Sequence, residues 1–145
     1  MNQRQFKRPE SILIVIHTRT HQVLVMRRRQ PPDFWQSVTG SLEWHEDPDQ
    51  AARRELYEET GLEAGDALRG TGDTNRFAIL PAWRSRYAPG VQHNVEHVYE
   101  LLLDRPQPIV LDPAEHTEYC WLTREEAIER VSSSTNRAAI AALAG

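Results

Sequence analysis

Strand-like segments occupy most of this chain, and one strongly signalled helix interrupts them. Residues 11–17 (SILIVIH) and 22–29 (QVLVMRRR) are rich in Ile and Val, with 18–21 between them, so they read as a hairpin. Residues 34–41 (FWQSVTGS) read as extended and end at Gly40. Asp47 then offers an N-cap, Pro48 suits the first helical position, Gln50 stands at the capping-box position and Gly61 is a natural stop. Beyond the helix, 62–75 reads as irregular at its centre, and 77–86 and 91–103 read as strands around Ala88-Pro89-Gly90. In the second, Val95, His97, Tyr99 and Leu101 alternate with Glu96, Val98 and Glu100. Residues 119–122 form a short strand, Thr123 with Glu126 opens a helix through Val131, and 136–143 suit a last helix. This order does not alternate as a doubly wound parallel sheet would. The expected class is α+β, a mixed sheet sandwiched between helices.

A chain of 145 residues reads as a single domain over 1–145 with a core of its own. The balance of 17 Lys+Arg against 21 Asp+Glu gives a net charge of −4, which argues against a nucleic-acid polymer as partner. A small anionic ligand needs only a local basic patch and stays in play. Cys120 is alone, so an intramolecular disulfide and a cysteine-based zinc motif are both excluded, and the residue reads as packing. The longest strongly apolar run, residues 12–16, is too short for a membrane span or a signal-peptide core. A cytoplasmic monomer with no membrane partner is expected.

Glu55, Glu58 and Glu59 stand at i, i+3 and i+4 and share one helix face. Like charges at i, i+4 cost about 0.2–0.5 kcal/mol, and only Arg54 to Glu58 offers an opposite pair at that spacing. A hard divalent cation would remove the repulsion, because Mg²⁺ prefers carboxylate oxygens and water. Spacing alone leaves a solvated acidic surface and a metal site both open.

The surrounding residues narrow the choice. Gly40, Glu46, Arg54, Glu55, Leu56, Glu58, Glu59, Gly61 and Leu62 stand as Gly-x5-Glu-x7-Arg-Glu-Leu-x-Glu-Glu-x-Gly-Leu. Ordinary residue usage makes a chance match rarer than roughly one in a million. On this motif, residues 40–62, the chain resembles the Nudix hydrolases, and the order of its elements is similar to their fold. The resemblance implies a loop–helix–loop that holds Mg²⁺, or Mn²⁺ in its place, and hydrolyses a nucleoside diphosphate linked to another group. It implies Glu55 and Glu59 as metal ligands with Glu58 assisting, Glu46 and Arg54 as the residues that orient them, and Gly40 as a point of close backbone approach. The carboxylate that takes the water's proton stays open among Glu55, Glu58, Glu115 and Glu118.

Outside the motif the chain resembles one branch, the bacterial dihydroneopterin triphosphate pyrophosphohydrolases of folate synthesis. Lys7-Arg8-Pro9, the 33–40 run, the 86–91 run, Glu115-His116 before Trp121-Leu122, and the Ser-rich 132–134 with Asn136-Arg137 carry that likeness. It implies Lys7 and Arg28 as phosphate or substrate contacts, Thr39 beside the diphosphate, Phe77 along the substrate, Ser133 as a substrate contact and Glu115 as a further metal ligand. Three stretches depart from the branch: Glu43-Trp44-His45, the apolar 78–83 segment, and Ser134 where a bulky aromatic is expected. The expected activity is Mg²⁺-dependent conversion of dihydroneopterin triphosphate to monophosphate and pyrophosphate. The rivals are a pyrophosphohydrolase of dATP or an oxidised nucleotide, and a non-catalytic nucleotide-binding module. The last would be expected to lack some of the four Glu present here. His93, His97 and His116 have no zinc spacing and read as structural, and Trp35 and Trp121 read as core.

Overall fold

The computed structural model describes residues 5–144. Strands β1 (Glu10–Thr18) and β2 (Gln22–Arg28) form the expected hairpin, paired at His17 and Val23. Away from the turn the two arms diverge. β3 (Trp35–Gln36) pairs with β2 and β4 (Val38–Ser41) pairs with β1, so the segment expected as one extended stretch is two strands broken at Ser37. The break follows from the two halves having different partners. Helix α1 (Pro48–Thr60) starts and stops where the sequence signals put it, with the full Asp47–Gln50 capping box and Gly61 left-handed at φ 76°.

Two expectations fail in the middle of the chain. The 62–75 stretch is not irregular at its centre, because β5 (Leu68–Ala78) runs through it, antiparallel to β6 (His93–Leu103). Backbone pairing overrides the weak propensity of its glycines, and the register slips between Gly70 and Thr74. The strand expected over 77–86 ends at Ala78, since Pro81 opens a short 3-10 turn, Pro81–Arg86. β6 lies parallel to β1 from Glu10–Val95 to Thr18–Leu103. β7 (His116–Thr123) lies antiparallel along β2, and α2 (Arg124–Arg130) and α3 (Ser134–Ala141) follow. Residues 5–144 thus build one mixed seven-stranded sheet with β7 and β5 at its edges.

Both faces of the sheet are covered, which is why its central strands read as near-continuous apolar runs. Ile12, Ile14 and Ile16 pack with Ala51, Ala52 and Leu56 of α1. Val15, Val23 and Val25 pack with Ala127 and Ile140 of α2 and α3. Trp121 and Trp35 pack against the first and second of these clusters, respectively. β6 has no solvent face: Tyr99 and Leu101 are buried on one side, Glu96 and Val98 on the other. No helix of the described residues is long and apolar enough to cross a membrane.

Asn136 ties α3 to the sheet. Its Oδ1 accepts from the Ser37 backbone N–H at 2.8 Å, and its Nδ2 donates to Ser37 Oγ at 2.9 Å. Asn136 is 2% exposed, so Asn136→Ala strands a buried donor. The expected cost is about 1–3 kcal/mol, read as a lower urea midpoint at unchanged m-value.

Candidate active site

The acidic face of α1 is not a solvated surface. Glu55 and Glu59 are buried beside Ala51, Ala52 and Leu56, while Glu58 is exposed. Glu55 can be buried because Gly40 of β4, beside it, has no side chain. A Cβ on Gly40 would stand 2.6 Å from Glu55 Cγ and closer still to its carboxyl group. Only glycine lets the helix carboxylate lie against β4.

Arg54 organises the acids around it. It donates to both oxygens of Glu46 at 2.7 and 2.8 Å, to Glu55 Oε1 at 2.8 Å and to the Ser41 carbonyl at 3.1 Å, and it reaches Glu58 at 3.3 Å. Glu46 also accepts from the Glu43 backbone N–H at 2.7 Å. The hydrogen bonds from Arg54 hold the Glu46 carboxyl below its ordinary range, and Glu46 in turn raises the Arg54 guanidinium further. At Glu55 burial wins over Arg54 and pushes the carboxyl up to about 7, with Glu59 and Glu58 acting the same way.

Glu59 has a different partner. Its Oε2 lies 2.7 Å from His116 Nδ1, but out of line for the ring N–H, so both buried atoms lack a hydrogen bond. The other ring nitrogen of His116 is 3.1 Å from the Gln36 amide. Among the described residues no three His, Cys, Asp or Glu already stand as a metal cage. The donor set nevertheless fits a hard divalent cation: one Arg54 nitrogen reaches carboxylate oxygens of both Glu55 and Glu58, Glu59 Oε2 is orphaned, and Gly40 keeps room beside Glu55.

On the opposite face of the sheet a cavity of about 400 Å³ reaches the same spot at Gly40. Lys7, Arg28, Thr39, Gly40, Phe77 and Ser133, the six residues expected to touch substrate, all line it. Lys7 is anchored by its backbone N–H to the Arg86 carbonyl at 2.8 Å, and its ammonium lies 6.0 Å from the Tyr87 ring. Crowding by protein atoms holds that ammonium below its ordinary range, with Arg86 and Arg28 pushing the same way. The Arg28 guanidinium lies 5.7 Å from the Trp83 ring and donates to the Gln30 carbonyl at 2.7 Å. Burial lowers it too, while Glu115 and Glu59 counteract. Ser133 caps α3 by accepting from the Asn136 N–H at 3.1 Å.

Glu115 is exposed at the foot of β7, where its charge acts on Lys7 and Arg28. Glu118 pairs with Arg27 at 3.5 Å. His116, Asn94 and Glu96 belong to the site region and carried no role in the sequence reading. Glu96 stands in the sequence only as one member of the 95–101 alternation, and the structure buries both sides of that strand. Another cavity, about 500 Å³, lies by the hairpin turn and the chain's C-terminal end, lined by His17, Arg19 and Arg124 among others. It shares no lining residue with the first and none with the 40–62 motif.

Comparison with known proteins agrees with this geometry. A NUDIX domain model matches residues 7–143. The chain is 42% identical over 144 residues to the dihydroneopterin triphosphate diphosphatase of Escherichia coli K12, covering 97% of this chain and 95% of that protein. It is 39% identical over 140 residues to the enzyme of the same name from Haemophilus influenzae, covering 94% and 87%. The solved structure of the Escherichia coli dihydroneopterin triphosphate pyrophosphohydrolase superposes with a TM-score of 0.87 at 43% identity, over 93% of this chain and 94% of that one. A mixed sheet clasped by helices, an intact acidic motif on α1 and full-length likeness to these proteins lead to one conclusion: the chain belongs to the Nudix hydrolase family.

Proposed function

We propose that this protein is a Mg²⁺-dependent pyrophosphohydrolase that converts dihydroneopterin triphosphate to its monophosphate and pyrophosphate. One observation carries the reading furthest. The cavity meets the acidic helix at Gly40, with Lys7 and Arg28 on its wall and aromatic and polar groups along the rest. A polyanionic tail and a flat polar ring need that division. The near-full-length identity to two enzymes named for this substrate supports it.

Lys7 and Arg28 would hold phosphate oxygens, and Thr39 would stand beside the diphosphate. Glu55, Glu58, Glu59 and Glu115 would hold the metal, which when bound supplies charge neutralisation and an activated water. Arg54 and Glu46 would keep Glu55 and Glu58 in place. Attack of water on phosphorus breaks one phosphoanhydride bond, pyrophosphate departs, and the water's proton passes to a carboxylate. Glu55 and Glu58 are the candidates on α1. Burial raises the proton affinity of Glu55 in the absence of a cation, and coordination to a metal would lower it again, so Glu55 would serve as base only where it is not itself a ligand. Glu115 is the remaining candidate from β7. Glu118 is engaged by Arg27.

Competition kinetics with equal concentrations of dihydroneopterin triphosphate, dATP, dGTP and an oxidised dGTP test the substrate. At least a tenfold preference in kcat/KM for the pterin compound is expected, with pyrophosphate as the inorganic product. The apolar wall of Ile79, Leu80 and Trp83 favours the second reading, a purine-nucleotide pyrophosphohydrolase. A tenfold win for dATP or the oxidised nucleotide would transfer the assignment to it. Stepwise orthophosphate release would overturn both.

A further inference from the structure

We propose that Glu96, with Asn94 beside it, is the pair that selects the substrate's ring by reading an amino-oxo pyrimidine edge. This deepens the pterin reading of the same cavity and rests on it.

The argument begins with register. Glu96 of β6 is paired with Ser11 of β1 and with Asn75 of β5, and Ser11 is paired with Ser41 of β4. Residues directly opposite one another across a sheet present their side chains to the same face. Ser41, Ser11, Glu96 and Asn75 therefore form a polar row across four strands, on the face away from α1. Asn94 lies two residues before Glu96 and so shares that face. The row stands where neighbouring positions are filled by Leu13, Val15 and Val98.

A buried carboxylate without a cation is costly, so such a row needs a reason. Glu96 is 5% exposed and Asn94 is 4% exposed. The groups holding Glu96 are neutral: Asn75 Nδ2 donates to its Oε1 at 3.1 Å, and the Thr135 hydroxyl faces it. Asn94 Nδ2 donates to Ser11 Oγ at 2.7 Å, which leaves its buried Oδ1 with no partner. Both residues line the cavity, so its floor offers more acceptors than the protein satisfies. Phe34 and Trp83 stand along the same cavity, with ring centroids 6.4 Å apart and planes at 64°.

A ligand that completes this floor must be flat and must bring adjacent N–H donors. A 2-amino-4-oxopyrimidine edge does so through its ring N–H and exocyclic amine, which match the two oxygens of a carboxylate. The second amine hydrogen suits the free Asn94 oxygen. Pterin and guanine rings share this edge. Adenine sets an amine beside a bare ring nitrogen, whose lone pair would face the carboxylate, so the floor selects against it.

The test compares wild type with Glu96→Gln on dihydroneopterin triphosphate, dGTP and dATP, with circular dichroism reporting the fold. Glu96→Gln is expected to lower the kcat/KM ratios of dihydroneopterin triphosphate to dATP and of dGTP to dATP at least tenfold, chiefly through KM. Asn94→Ala is expected to lower the same ratios at least threefold, and serves alone should Glu96→Gln not fold. Unchanged ratios, or an equal fall on all three substrates, would overturn the assignment. A wild type that prefers dATP to dihydroneopterin triphosphate would instead sink the pterin reading, and the dGTP-to-dATP ratio would still judge Glu96 by itself.

Discussion

Glu59→Gln leaves a folded protein that turns over at least about a thousandfold more slowly, a loss of roughly 4 kcal/mol from the transition state. The substitution keeps the size of a side chain that is 8% exposed and removes the charge of its orphaned oxygen. A metal ligand acts on the charge that develops in the transition state, so kcat falls rather than KM alone. The fold has little to lose, because Glu59 Oε2 and His116 Nδ1 make no hydrogen bond. The melting temperature should move by no more than about 3 °C, equivalent to about 1 kcal/mol in a domain of this size. Chelator should abolish wild-type activity, and Mg²⁺ or Mn²⁺ should restore it. Full turnover by wild type in excess EDTA, or by Glu59→Gln, would refute the metal site.

Gly40→Ala is the second large effect. The added Cβ would overlap the Glu55 carboxyl, and the Glu55 side chain is pressed between β4 and Arg54. The backbone at Gly40 is paired with Ile12 in β1 and cannot yield cheaply. Glu55 must therefore swing out, which pulls it from Arg54 and from the other carboxylates. A displacement of about 1 Å at such a position costs on the order of a hundredfold in rate. The same overlap should lower stability by about 1–3 kcal/mol, as overpacking does. Kinetics and urea unfolding of the one variant check both halves. A variant with wild-type kcat would show that Glu55 does not need its place against β4.

Features set by local chemistry were open to reading from the sequence. The capping box at Asp47, the stop at Gly61, the hairpin and the spacing of the glutamates each depend on a few adjacent residues. The candidate substrate residues came from resemblance, and folding gathers all six around one cavity. What escaped depends on partners distant in sequence. β5 forms because β6 offers it an edge, and 35–41 splits because β1 and β2 diverge. Glu96 gains its meaning only when both sides of β6 are covered, which the alternation along 95–101 does not reveal. His116 meets Glu59 only after β7 aligns along β2. Its position directly after Glu115 was visible, but its neighbour across the fold was not.

The kinked outer strand β5 has a consequence for the molecule in a crowd. An open sheet edge is a template on which another chain can add a strand and start a polymer. Here the edge slips register between Gly70 and Thr74, turns through Gly72 at φ 86°, and carries the exposed charges of Arg69, Asp73 and Arg76. A straight incoming strand would lose its ladder partway along and meet ions on the way. The irregularity expected over 62–75 is thus a kink that makes this edge a poor template for an added strand.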